Sequence, residues 1–92
     1  PDEALLDLVK LVFPLIIRKW KRGDAFVPFG MSKPKKLSDF FIDLKYSRIE
    51  KEQQWLLCSG NEIVWVIGRR IDDRYKVSDQ TGNVLRIRVH PS

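Results

Sequence analysis

Three lysines stand within four positions, Lys33, Lys35 and Lys36, in the stretch GMSKPKKLSDFFID over residues 30–43, directly before what reads as a helix start. A helix start carries partial positive charge and unbonded N–H groups, so cations are poorly placed there unless an anion sits between them. This is the one constellation whose residue types and spacing suit phosphate binding. Asp39 and Asp43 lie four apart, a spacing that serves paired acid–base carboxylates but equally a capping charge beside a solvated face. Cys58 and His90 are the single cysteine and single histidine, far apart in the chain. They offer neither a spaced set of zinc ligands nor a neighbouring nucleophile–base pair. Asp72-Asp73-Arg74 suits a local ion pair that fixes the loop after Gly68. Gly60 and Gly68 are not followed by Gly-Lys-Ser/Thr, so there is no phosphate loop of that kind. The expectation is no catalytic residue and no metal site.

The wider charge pattern bears on the lysines. Of the net +5, residues 18–36 carry +6 and residues 69–92 carry +3, while residues 1–10 and 37–68 each carry −2. Two basic segments separated by an acidic one make a basic surface, and such surfaces serve phosphate neutralisation with counterion release. Lys19 and Arg22 extend the first group; Arg70, Arg74 and Lys76 form the second. Trp20 and Tyr75 are the aromatics placed to stack on bases, although among apolar strands such rings are commonly core.

The elements that must position these groups follow from periodicity. Leu5, Leu8, Val9 and Val12 have helical spacing, so residues 1–13 read as a linker or short helix that Pro14 ends. Residues 15–20 read as a strand, and Arg22-Gly23-Asp24 as a turn. Residues 25–36 hold two prolines and one glycine and read as an ordered loop anchored by Phe26 and Phe29. Residues 37–45 give the clearest helix, with Ser38 as its cap and Leu37, Phe40, Phe41 and Leu44 as its apolar stripe. A polar helical turn at 50–54 leads into a β-hairpin over 55–67 that turns at Ser59-Gly60-Asn61. Two further strands are expected at 75–78 and 84–89, joined by a turn at Gly82-Asn83. In the last, Leu85, Ile87 and Val89 alternate with Arg86 and Arg88, an apolar face against a charged one. The fold class is α+β: one small domain over residues 1–92, with a mixed, largely antiparallel sheet packed against one or two short helices.

Ninety-two residues suffice for one modest core. No uncharged run, Leu11 to Ile17 included, approaches the ~20 residues that span a bilayer. The acidic beginning PDEALL does not resemble a secretory signal. With one cysteine and no disulfide framework, a reducing, cytoplasmic setting is expected. The chain starts at Pro1 and its methionine is Met31, so it is expected to be a piece of a longer protein.

Three motifs taken in order are distinctive: RKWKRGDAFVPFGM at 18–31, KKLSDFFIDLK at 35–45 and IVWVIGRRIDDRYKVS at 63–78. The series resembles the C-terminal domain of bacterial tRNA(Ile)-lysidine synthetase, over roughly Phe13 to Val89. The resemblance implies a fold similar to a domain of the phenylalanyl-tRNA synthetase β subunit, α+β with an unusual sheet. It implies a parent enzyme that uses ATP, with magnesium, to adenylate the wobble cytidine of tRNA(Ile). The parent then attaches L-lysine there, which changes the codon read from methionine to isoleucine. That chemistry belongs to an N-terminal catalytic domain with a Ser-Gly-Gly-x-Asp-Ser loop, which these residues lack; no cofactor is expected in this part. The C-terminal domain is implied to grip tRNA, its acceptor stem in particular. Lys35, Lys36, Arg70, Arg74 and Lys76 fall on the family's basic motif positions, and Lys19 and Arg22 join them as tRNA-binding candidates. Gly23, Asp24, Gly30, Leu37, Asp39, Phe40 and Asp72 match as well and are assigned to shape. The chain departs from the pattern at Ala25, at Tyr46-Ser47 and at Trp55, where the family favours arginine, an Ile-Pro pair and proline. The rival reading is a scaffolding module that packs on its own catalytic domains through Trp20, Phe26 and Phe29, without touching RNA.

Overall fold

The computed structural model describes residues 2–90. Its strands are β1 (Glu3–Asp7), β2 (Leu15–Lys19), β3 (Ala25–Phe26), β4 (Lys35–Lys36), β5 (Trp55–Ser59), β6 (Glu62–Val66), β7 (Arg70–Ile71) and β8 (Val84–Arg88); its helices are α1 (Leu37–Asp43) and α2 (Arg48–Gln53). A four-stranded antiparallel sheet runs in the order β2-β5-β6-β7. Two antiparallel ribbons, β1-β8 and β3-β4, flank it.

Each face of the four-stranded sheet buries its own core. Strand alternation sends Leu56 and Cys58 to one side, where they meet Phe26 and the α1 stripe Leu37, Phe40 and Phe41. Leu57 points to the other side, with Trp65, Tyr75, Leu11 and the ribbon residues Ala4 and Leu6. β6 carries an extra residue against β5, because Leu57 pairs with Trp65 but Cys58 pairs with Ile63. The bulge lets Val64 and Trp65 enter the same core although they are adjacent in sequence. Burying the Trp65 side chain alone is worth ~2–3 kcal/mol, and it is 1% exposed.

Four expectations are corrected, the last of them at the start of α1. The N-terminal stretch is a strand followed by a 3-10 turn at Leu8–Lys10, rather than a linker or helix. Ala4 and Leu6 face inward because β8 pairs with β1, whereas the helical spacing would have buried Val9 and Val12, which are exposed. The expected strand at 75–78 is absent: Asp73–Tyr75 forms a 3-10 turn capped by the Asp72 carboxylate, and the short strand β7 precedes it. The ordered loop is in part the ribbon β3-β4, with Phe26 buried but Phe29 exposed, so only one of the two anchors holds.

The helix ends are also explained locally. Ser38 is not the cap of α1. β4 runs straight into the helix with Lys36 at the cap position, and the Leu37 N–H donates to the Asp24 carbonyl at 2.9 Å. At the other end Lys45 adopts φ 57°, with Lys45 N–H donating to Ile42 C=O and Tyr46 N–H to Phe41 C=O. This is a Schellman closure, and the Tyr46 ring stacks on Phe41 at 5.2 Å. Ser47 then forms a capping box with Glu50 that starts α2. The Tyr46-Ser47 departure thus supplies both a ring that seals one helix and a cap that starts the next.

Candidate nucleic-acid interface

The structure distributes the seven candidate cations over three places. β7 carries Arg70, which is exposed, its guanidinium 5.8 Å from the centre of the Phe40 ring. Arg70 and Lys76 line a groove together with Phe29, Arg69 and Val77. Lys76 also borders an adjoining depression formed by Gly30, Met31, Ser32, Lys33 and Asp73. Lys35 and Arg70 share a third depression with Met31, Phe40 and Asp43. The loop 29–33 is therefore ringed by Lys33, Lys35, Arg70 and Lys76. Lys33, part of the lysine run but not of the tRNA-binding set, and Arg69 join the rim through folding; the Arg69-Arg70 pair was the visible signal for the latter.

The loop is held rigidly. Gly30, at φ 89°, donates its N–H to the Asp73 carboxylate at 3.0 Å, and Lys76 pairs with the same carboxylate at 3.2 Å. The Gly30 N–H first, then Lys76, hold the Asp73 carboxyl below the usual aspartate range. Beneath it, Asp72 is wholly buried. Its carboxylate accepts from the Val27 N–H at 2.8 Å and from Arg74 at its N–H, Nε and Nη2, at 2.8, 3.0 and 2.9 Å. The Asp73 N–H donates to the Val27 carbonyl and the Phe29 N–H to the Ile71 carbonyl, which zips the two loops together.

Their ion pairs separate the candidate cations. Arg74 also pairs with Glu62 at 2.7 Å, so its charge is met twice within the domain, and the Asp72 hydrogen bonds raise its pKa further. Lys35 pairs with Asp43. Its ammonium therefore meets the last residue of α1, the end where a cation is favoured, and the crowding at the helix start is relieved without a ligand. Lys36, one position on, is exposed and takes part in no ion pair among the described residues. α1 has seven residues and its first N–H is spent on Asp24, which leaves the helix end a poor anion site.

Lys19 and Arg22 lie elsewhere. Lys19 ends β2 and places its ammonium 3.8 Å from the centre of the Trp55 ring; Arg22 is exposed in the following turn. Asp24 fixes that turn, accepting both Arg18 guanidinium nitrogens at 2.9 Å and the Lys21 N–H at 2.8 Å. Of the apolar residues on which the scaffolding reading relied, Phe26 is buried and Trp20 packs edge-on against Phe41 at 5.3 Å, leaving Phe29 exposed. Tyr75, one of the two candidate stacking rings, is buried and donates its hydroxyl to Glu62. Burial first, then Glu62, push its pKa up to about 12. Among the described residues no three His, Cys, Asp or Glu side chains converge as metal ligands do, and no helix is long and apolar enough to cross a membrane.

This small antiparallel architecture has a solved counterpart. A structure described as the crystal structure of TILS C-terminal domain superposes with a TM-score of 0.77 at 23% identity, covering 98% of this chain and 72% of that one. The likeness defines the fold. The family model for the TilS substrate C-terminal domain matches residues 15–89, and the chain belongs to that family. The tRNA(Ile)-lysidine synthase of Parabacteroides distasonis is 60% identical over 82 residues, which cover 89% of this chain and 19% of that protein. That of Bacteroides thetaiotaomicron is 42% identical over 88 residues, covering 96% and 21%. The chain thus spans about a fifth of the length of the curated relatives it matches.

Proposed function

We propose that the chain is the non-catalytic, tRNA-gripping part of a longer tRNA(Ile)-lysidine synthase that works in the cytoplasm. The observation that carries this reading is the rim of Lys33, Arg70 and Lys76 around a loop pinned by Asp72 and Asp73. Exposed Lys33 and Arg70, with half-buried Lys76 shared with Asp73, stand on a pinned loop and suit an A-form stem, which proteins read by shape and phosphate position. Lys36 adds a further exposed charge, whereas Arg74 on this reading shapes the site. The relatives named tRNA(Ile)-lysidine synthase support tRNA as the partner. On this reading ATP, magnesium and L-lysine belong to the remainder of the longer protein, of which the chain corresponds to about a fifth. The test is equilibrium binding of tRNA(Ile) to the wild-type chain and to a Lys33→Glu, Arg70→Glu, Lys76→Glu variant. Each lost phosphate contact weakens binding and lowers the salt slope by about one. A folded triple variant that binds as the wild type does would contradict the proposal.

A further inference from the structure

We infer that Trp55 is a stacking platform for an unpaired nucleobase, at a site separate from the basic rim; this rests on the tRNA-gripping reading and extends it. β5 buries every other residue it contains, yet Trp55 is 48% exposed. An indole left half in water forgoes much of its burial energy, so its position calls for another use. The backbone that carries the ring is also held. The Trp55 carbonyl accepts from the Ile67 N–H at 3.1 Å and from the Gln54 side-chain amide at 2.8 Å. Gln54 is itself buried, accepts from the Tyr46 hydroxyl at 2.6 Å and donates a second bond to the Ile67 carbonyl. A polar network thus fixes the backbone beneath an exposed aromatic, which lowers the ordering cost of any partner that stacks on it.

Charge identifies that partner. Lys19 lies directly across the ladder from Trp55, with its ammonium over the ring. The turn that follows β2 presents Lys21 and Arg22, both exposed and without an ion pair among the described residues. An aromatic face covered by a cation answers a base joined to a phosphate: the base takes the place of the Lys19 ammonium on the indole, and the displaced ammonium turns to the phosphate. An apolar protein surface would leave those cations unanswered. Beside the stem-binding rim, the ligand is a nucleotide that extends unpaired from a helical stem. Stacking is sequence-tolerant, so the site discriminates unpaired from paired RNA rather than one base from another.

The test uses this chain with a short blunt RNA duplex and with the same duplex carrying an unpaired overhang, each fluorescently labelled and titrated at one salt concentration. The wild type should bind the overhung duplex about 5- to 140-fold more tightly, the span given by ~1–3 kcal/mol of stacking at ~1.4 kcal/mol per tenfold. Trp55→Ala should erase that increment and leave blunt-duplex binding unchanged, while Trp55→Phe retains most of it. Melting curves confirm that both variants fold. Blunt-duplex binding with no increment in the wild type, or an increment that survives in Trp55→Ala, overturns the stacking site alone. Equal loss on both RNAs in a folded Trp55→Ala overturns it too. Failure of the wild type to bind either RNA overturns the tRNA-gripping reading and this inference with it.

Discussion

Removing the Asp72 carboxylate should cost more stability than any other single change in the candidate interface. The side chain is wholly buried and joins the loop at Val27 to the turn at Arg74. In Asp72→Ala the Val27 N–H, within a buried stretch of chain, loses its acceptor, a cost of ~1–3 kcal/mol. The Arg74 guanidinium also loses its inner partner. Because that side chain is 44% exposed and still meets Glu62, this loss is discounted for solvent screening to about 1 kcal/mol. The sum is ~3 kcal/mol, at the low end for breaking a buried charged pair. For a domain of this size each kcal/mol moves the midpoint by ~4–8 °C, so Asp72→Ala should melt ~12–24 °C below the wild type. Asp72→Asn keeps the volume and one oxygen for Val27 but turns an amide N–H toward Arg74, and should fall between. Thermal unfolding followed by far-ultraviolet circular dichroism reads both. A midpoint for Asp72→Ala within ~3 °C of the wild type would refute the assignment of Asp72 as the pin between the loops.

Two further outcomes concern pH. Burial alone would raise the Asp24 carboxyl, but Arg18 and the Lys21 N–H outweigh it and the net shift is downward. Its folded pKa therefore lies below its unfolded one, so its stabilisation is present above the unfolded value near 3.8 and is lost as pH falls through the folded one. Asp24→Asn should melt well below the wild type at neutral pH and converge with it under acid, as read by thermal melts across pH; a pH-independent gap would contradict this. Tyr75 titrates in the opposite sense. Its folded pKa of about 12 exceeds the ordinary 10, so its stabilisation is complete below pH 10 and fades as pH rises toward 12. Ultraviolet titration of Glu62→Gln should bring Tyr75 part of the way back, since burial remains the larger cause; an unmoved titration would discount Glu62.

What was legible in the sequence were features set by neighbouring residues. The hairpin of β5 and β6 follows from two short, mainly apolar runs on either side of Gly60, which has φ 58°, and α1 follows from its apolar stripe. What was hidden depends on residues far apart. β1 is a strand because β8, at the other end of the chain, pairs with it, and nothing local outweighs the helical spacing of its leucines and valines. β7 has two residues, too few for any period to register. The candidate site divides in the same way. The basic segments were visible, and so was the charge excess. Which cations the domain spends on itself was not, because Lys35 reaches Asp43 only once α1 has turned back beside β4, and Arg74 reaches Glu62 only across the sheet. Trp55 was visible as a departure, but its use depends on Lys19 lying opposite in the ladder.

The central claim is that exposed cations of this domain neutralise RNA phosphates. The salt dependence of tRNA(Ile) binding by the wild-type chain tests it most directly. The logarithm of the binding constant should fall linearly with the logarithm of salt concentration, with a slope reflecting several phosphate contacts, about one for each of Lys33, Lys36 and Arg70 and less for Lys76, whose charge Asp73 shares. A binding constant that does not change with salt would contradict the account.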